Sequence, residues 1–308
     1  MIYIDTNPGM TTDRTIKNAF STLVHEMQHL INYVTSVLQR STMIGNQLYT
    51  NYLDLWIDEG LAVSAEWIYS GTQEDRIRWY NTNGIINEVE RGLINKGNNF
   101  FVWNNRTGES DYAVMDDYAT VYLFFQWLRI HHADEEKIYR DILMSSKSNH
   151  EAVVEAMSGY SNWGDLFRDW LVANGILAST GIYGYNGKIP TLTKKWFFPG
   201  IGTTAQLFPG EAVYRNPGTS PVISGQGTNI RNSYLTSTGI ESSWAAGRTM
   251  LTYNINANRG DSREQGVIGA ASVDIMPFSS LTDPVVLENP GPYRMGSGGI
   301  RGFENLNE

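Results

Sequence analysis

The sequence predicts an α+β fold in which a mainly helical part, residues 1–186, precedes a β-rich part, residues 187–308. Three observations carry this. Apolar residues recur at three- and four-residue steps in a long segment near the start, and several shorter segments opened by capping-type residues follow up to Val172. From Gly181 onward the texture changes to Gly, Ser, Thr, Asn and Pro with short apolar or alternating pieces, the pattern of strands joined by turns.

Taken in order, Ile2, Tyr3 and Ile4 suggest a short strand closed by Asn7-Pro8-Gly9. An amphipathic helix runs from about Asp13 to Val37, with Ile16, Phe20, Leu23, Val24, Met27, Leu30, Ile31 and Val34 along its apolar stripe. A second helix covers Asp58 to Tyr69 and stops at Ser70-Gly71. Residues 72–110 read as mixed. A very apolar helix spans Asp116 to Ile130, buried on most sides, with Asp116 and Asp117 suited to cap it. Shorter helices are expected over Asp134–Ser145, Asn149–Met157 and Ser161–Val172. Ala212–Tyr214, Met250–Asn254 and Val267–Ile275 read as strands.

The formal net charge of -9 argues against a nucleic-acid partner, which leaves a basic footprint. With no cysteine, disulfides and thiolate metal sites are excluded, so a metal can be held only by Asp, Glu and five histidines. The first residues have neither a basic nor an apolar signal region, so any export signal is expected to have been removed. The apolar run around Val121–Phe125 is too short to span a bilayer.

The chemistry concentrates in His25-Glu26-Met27-Gln28-His29. Histidines at i and i+4 leave one helix face and can converge on a single cation, with Glu26 between them placed to reach a water on that cation. Zinc is the natural occupant, since it accepts imidazole and carboxylate in tetrahedral geometry. A metzincin would continue as HExxHxxGxxH, but Asn32 and Thr35 stand where that pattern needs Gly and His. An aspzincin or gluzincin would take its third ligand, a carboxylate, from a second helix. Glu59 in Leu55-Trp56-Ile57-Asp58-Glu59-Gly60-Leu61-Ala62 is the best candidate, with Gly60 and Ala62 small enough for that helix to pack closely on the first. Glu66, seven residues on, is the competing ligand or an acceptor for an imidazole N–H.

HEMQHLIN and LWIDEGLAVSAE together resemble the gluzincin metallopeptidases, and the second string is similar to a segment of the membrane alanyl aminopeptidases whose Glu before Gly is the third zinc ligand. Carried over, that residue is Glu59. Adding Asp117-Tyr118-Ala119-Thr120-Val121-Tyr122-Leu123-Phe124 and Trp170-Leu171-Val172-Ala173-Asn174, the chain most resembles the hyicolysin-like bacterial neutral metallopeptidases over roughly residues 2–186.

The resemblance implies a zincin-like catalytic domain followed by a β-rich accessory domain, in a secreted or cell-surface bacterial protein. It implies a zinc endopeptidase acting on protein or peptide, with a zinc-activated water, Glu26 as general base, and His25, His29 and Glu59 as ligands. Gluzincins place a Tyr or His at the oxyanion. Tyr118 is the candidate here, Tyr122 stands one turn later, and His131 and His132 read as solvated residues at the helix end. Trp163, Phe167 and Trp170 stand at core spacing rather than as a carbohydrate platform. Gly302-Phe303-Glu304-Asn305 is similar to an aminopeptidase motif that belongs upstream of HExxH, so its occurrence here is coincidental. The rival reading is a non-catalytic zincin-like binding or adhesin module. The intact His25, Glu26, His29 and Glu59 favour the enzyme.

Overall fold

The computed structural model describes residues 13–82, 101, 112–135, 137–194, 205–207, 210–215, 223–224, 229–257 and 271–275. The expected strand at Ile2–Ile4 and the segment Gly302–Asn305 lie outside them. The described elements mix α-helices with small antiparallel sheets, an α+β composition. Among the described residues no helix is long and apolar enough to cross a membrane.

Helix α1 spans Asp13–Arg40, three residues past the expected end. It leads into a hairpin of β1 (Ser41–Ile44) and β2 (Gln47–Thr50), joined by the two residues Gly45-Asn46. Gly45 has φ 62, the positive value that the first position of a II′ turn demands. Helix α2 (Leu55–Ser70) starts three residues before Asp58 and ends as expected at Gly71, whose φ of 81 suits only glycine.

Helices α1 and α2 run antiparallel. Lys17 Nζ donates to the Ser70 carbonyl at one end, and Asn32 Nδ2 donates to Asp58 Oδ1 at the other. The face of α1 turned to α2 is polar, with His25, Asn32, Ser36 and Arg40 all buried. The periodic apolar stripe faces outward instead, leaving Phe20, Met27, Leu30, Ile31 and Val34 exposed. The acidic residues of α2 are the physical reason, since they need the polar side of α1 as their partner.

Helix α3 (Glu74–Thr82) lies in the stretch that read as mixed. Its sequence EDRIRWYNT is mostly polar, and Ile77 and Tyr80 are its only two buried apolar side chains, too few for a visible period. Helix α4 spans Tyr112–His131. Asp116 and Asp117 are therefore not caps but buried interior residues, 1% and 0% exposed. The helix reaches back to Tyr112 because nothing in Tyr112-Ala113-Val114-Met115 stops it. Helices α5 (Lys137–Met144), α6 (His150–Ala156) and α7 (Trp163–Ile176) follow. Asn149 and Asn162 cap α6 and α7 by accepting the N–H of Glu151 and Asp165, so Asn162 rather than Ser161 opens the last helix.

The remaining strands are β3 (Ala205–Leu207), β4 (Ala212–Arg215), β5 (Ile223–Ser224), β6 (Ile230–Leu235), β7 (Ile240–Glu241), β8 (Thr249–Asn254) and β9 (Ala271–Ile275). They form antiparallel sheets in the orders β4-β8-β6-β7 and β3-β9-β5. The four-stranded sheet meets α7: Tyr214 donates its hydroxyl to the Leu171 carbonyl at 2.6 Å, and a Cβ on Gly175 would lie 2.9 Å from atoms of both Tyr214 and Leu235.

Trp56, Phe124, Phe125, Trp163, Phe167 and Trp170 pack edge to face or stacked in one buried cluster, each worth roughly 1.5–3 kcal/mol of burial. Trp163, Phe167 and Trp170 are thus core residues. Gly60 serves this core. A Cβ there would fall 2.2 Å from Phe125 Cε2 of α4. Glu59 faces α1, and the next residue is turned about 100° around the helix, towards α4.

Candidate metal centre

The i, i+4 spacing on α1 carries both imidazoles to the same place on α2. Nε2 of His25 lies 3.3 Å from Glu59 Oε2, and Nε2 of His29 lies 3.5 Å from that same oxygen. One ligand atom from each of His25, His29 and Glu59 can be chosen so that all lie within 4.8 Å of one another. A tetrahedral zinc with bonds of about 2.0–2.1 Å has ligand-to-ligand edges of about 3.3–3.4 Å, so the two nitrogen–oxygen distances fit such a cage.

The other ring nitrogens are held from behind. His25 Nδ1 lies 2.6 Å from Glu66 Oε1, and His29 Nδ1 lies 2.7 Å from Asp58 Oδ2. A carboxylate can only accept, so each Nδ1 carries the proton and each Nε2 is left to face Glu59. Asp58 is fixed in turn by Asn32 Nδ2, which donates to its Oδ1 at 2.7 Å and its carbonyl at 3.2 Å. Glu66, expected as either rival ligand or imidazole acceptor, is brought to the back of His25 and away from the shared point.

Glu59 Oε2 is buried and, among the described residues, makes no hydrogen bond despite the two nearby nitrogens. An orphaned carboxylate oxygen facing two imidazole nitrogens is what a cation between them would satisfy. Electrostatics agree. Burial alone would lower the His25 and His29 pKa values, but the surrounding carboxylates outweigh it. Glu59 and Glu66 raise His25, and Asp58 and Glu59 raise His29 to about 10. Burial would raise Glu59, yet the two histidines bring it down to about 2. The cluster holds protons where a dication would otherwise meet the same demand for positive charge.

Glu26 follows His25 on α1, about 100° further round the helix, and is partly exposed. The Tyr118 ring lies 6.0 Å from the His25 ring, centroid to centroid, so α4 brings this tyrosine to the cluster. Burial first and the charge of Glu59 second push its pKa well above the ordinary value, while Arg76 pulls the other way. The hydroxyl therefore stays protonated and able to donate. Tyr122 is turned elsewhere, its hydroxyl accepting the Gln73 N–H at 3.1 Å.

His131, expected to be solvated, is half-buried at the opposite end of α4. Its Nε2 lies 2.8 Å from the Gly184 carbonyl, and burial lowers its pKa against the opposing effect of that hydrogen bond. Sequence reasoning assigned no role to Asp58, Asn32 or Arg76. The Asp58-Glu59 pair was the available signal for the first, since adjacent carboxylates on one helix can serve two different imidazoles.

No protein-family model matches the chain. It is 30% identical over 195 residues to the neutral metalloprotease ShpI of Staphylococcus hyicus, a match covering 61% of this chain and 40% of that protein. The similarity supports a relationship to the bacterial neutral metallopeptidases, as the sequence motifs implied. The matched part spans less than half of the relative's length.

Proposed function

We propose that the chain is a zinc-dependent endopeptidase of the gluzincin type, with a zincin-like catalytic domain over residues 1–186 and a β-rich accessory domain over 187–308, acting on protein or peptide outside the cell. The observation that carries this is the meeting of His25 Nε2 and His29 Nε2 at the orphaned Glu59 Oε2. Similarity to a neutral metalloprotease gives independent support.

His25, His29 and Glu59 would hold the ion. Zinc, when bound, supplies Lewis acidity and lowers the pKa of water towards about 7. Glu26 accepts a proton from the attacking water as its oxygen bonds to the scissile carbonyl carbon, then delivers that proton to the nitrogen as the C–N bond breaks. The Tyr118 hydroxyl donates to the developing oxyanion. Asp58 and Glu66 fix the tautomer and orientation of the two imidazoles.

Glu26→Gln tests this reading. The variant should keep its zinc and lose casein cleavage by about 10²–10⁴-fold, the usual contribution of a general base. Normal cleavage by it would remove Glu26 from the mechanism. Zinc bound by the wild-type chain without any chelator-sensitive cleavage would instead indicate a non-catalytic binding module.

A further inference from the structure

We propose that Arg76 is a positioning residue for the proposed reaction, locking the Tyr118 ring and the Glu66–His25 pair in one arrangement; this rests on Tyr118 acting at the oxyanion. Arg76 lies on α3, outside both ligand-bearing helices. Its guanidinium carbon stands 4.8 Å from the centroid of the Tyr118 ring and 5.1 Å from that of Trp79. Its Nη2 is 3.4 Å from Glu66 Oε1, the same oxygen that lies 2.6 Å from His25 Nδ1. Both side chains of the ion pair are largely buried, 15% and 10% exposed. One planar group thus touches Glu66 of α2, the carboxylate behind His25, and the face of the oxyanion candidate on α4.

The chemistry of arginine explains the choice. A guanidinium can lie against an aromatic face while an N–H at its edge donates to a carboxylate, and it remains charged throughout. Lysine offers a point charge that cannot serve the flat ring and the carboxylate in the same way. Glu66 Oε1 is shared between His25 and Arg76, so the cation also holds that carboxylate in the position His25 requires. Trp79, on the same helix as Arg76, flanks the guanidinium and limits its alternatives.

The test is a double-mutant cycle on the zinc-saturated full chain with a fluorogenic peptide, using R76Q, R76K, Y118F and R76Q/Y118F. If Arg76 acts by holding Tyr118, R76Q lowers kcat by up to about 10²-fold, the cost of a misplacement near 1 Å, with little change in KM. R76K recovers only part of this, and R76Q/Y118F is no slower than Y118F alone. A second readout needs no metal: 3-fluorotyrosine labelling, with the Tyr118 resonance assigned by its loss in Y118F, should show that signal broadened or split in R76Q. Equal fold-losses that multiply in the double variant overturn the proposal, as does an unchanged kcat in R76Q beside a slow Y118F. A normal kcat in Y118F removes Tyr118 from the reaction, and the proposal falls with it, while zinc-dependent cleavage itself stands.

Discussion

Gly60→Ala is the sharpest probe of how the core positions Glu59. The new methyl carbon would fall 2.2, 2.4 and 2.6 Å from three atoms of the Phe125 ring, where ordinary contact begins at 3.4 Å. The ring would have to retreat by about 1.2 Å, yet it is 0% exposed and packed against Trp56, Phe124 and Tyr139. Overpacking of this severity sits at the upper end of the usual range, about 3 kcal/mol, and the better helix propensity of alanine returns about 1 kcal/mol. The net loss is about 2 kcal/mol, a fall in melting temperature of about 3 °C for a chain of this size.

Thermal unfolding of the metal-free protein followed by circular dichroism measures the effect. Phe125→Leu in the same chain should relieve it, so that the double variant is more stable than the two separate losses predict. A rise in melting temperature for Gly60→Ala alone, as at an exposed helix glycine, would refute the argument. Zinc affinity should fall alongside stability, because any displacement of α2 at residue 60 moves its neighbour Glu59.

Asp58→Ala and Glu66→Gln should each weaken zinc binding about 10–100-fold in chelator competition, as loss of an imidazole's carboxylate support does, with Glu59→Gln worse than either. Equal affinities in all three would contradict the division into ligand and supporting carboxylates. The metal-free protein should also lose stability on the alkaline side. His29 has its pKa raised from 6.5 to about 10 by its carboxylates, so its contribution is complete below the lower value and vanishes as pH rises through the upper. Urea midpoints between pH 6 and pH 11 should fall for chelated protein and stay flatter for zinc-loaded protein.

Much of the site is legible in the sequence because it depends on helix geometry alone. His25 and His29 share a face by their spacing, and Glu66 lies two turns from Glu59 on the same helix. Asp58 was not legible in the same way. Whether a carboxylate one position before Glu59 reaches the second imidazole depends on how α1 crosses α2, and that crossing is fixed by tertiary contacts. Arg76 was hidden for a related reason: α3 buries few apolar residues, so the segment carries no visible period. The outward stripe of α1 shows the limit of the hydrophobic pattern, since amphipathicity marks the helix without saying which face meets the body of the protein.

The polar face of α1 explains how so charged a site is held in register. With neutral imidazoles, Asp58, Glu59 and Glu66 place three negative charges around two rings; Arg76 offsets one of them at Glu66, and a dication would balance the other two. Such a cluster favours a cation only while the helices stay aligned. Sliding α1 by one turn moves it about 5.4 Å along α2, enough to break both Nδ1 contacts and both approaches to Glu59 together. The contacts at either end resist that slip. Lys17 and Ser21 meet Ser70 beyond the site on one side, and Asn32 grips both the side chain and the carbonyl of Asp58 on the other. Asn32 stands where the metzincin pattern carries glycine, and here it is buried and turned to α2. Its amide instead ties the ligand-bearing helix to the carboxylate that orients His29, making the alignment of the two helices and the orientation of the imidazole a single constraint.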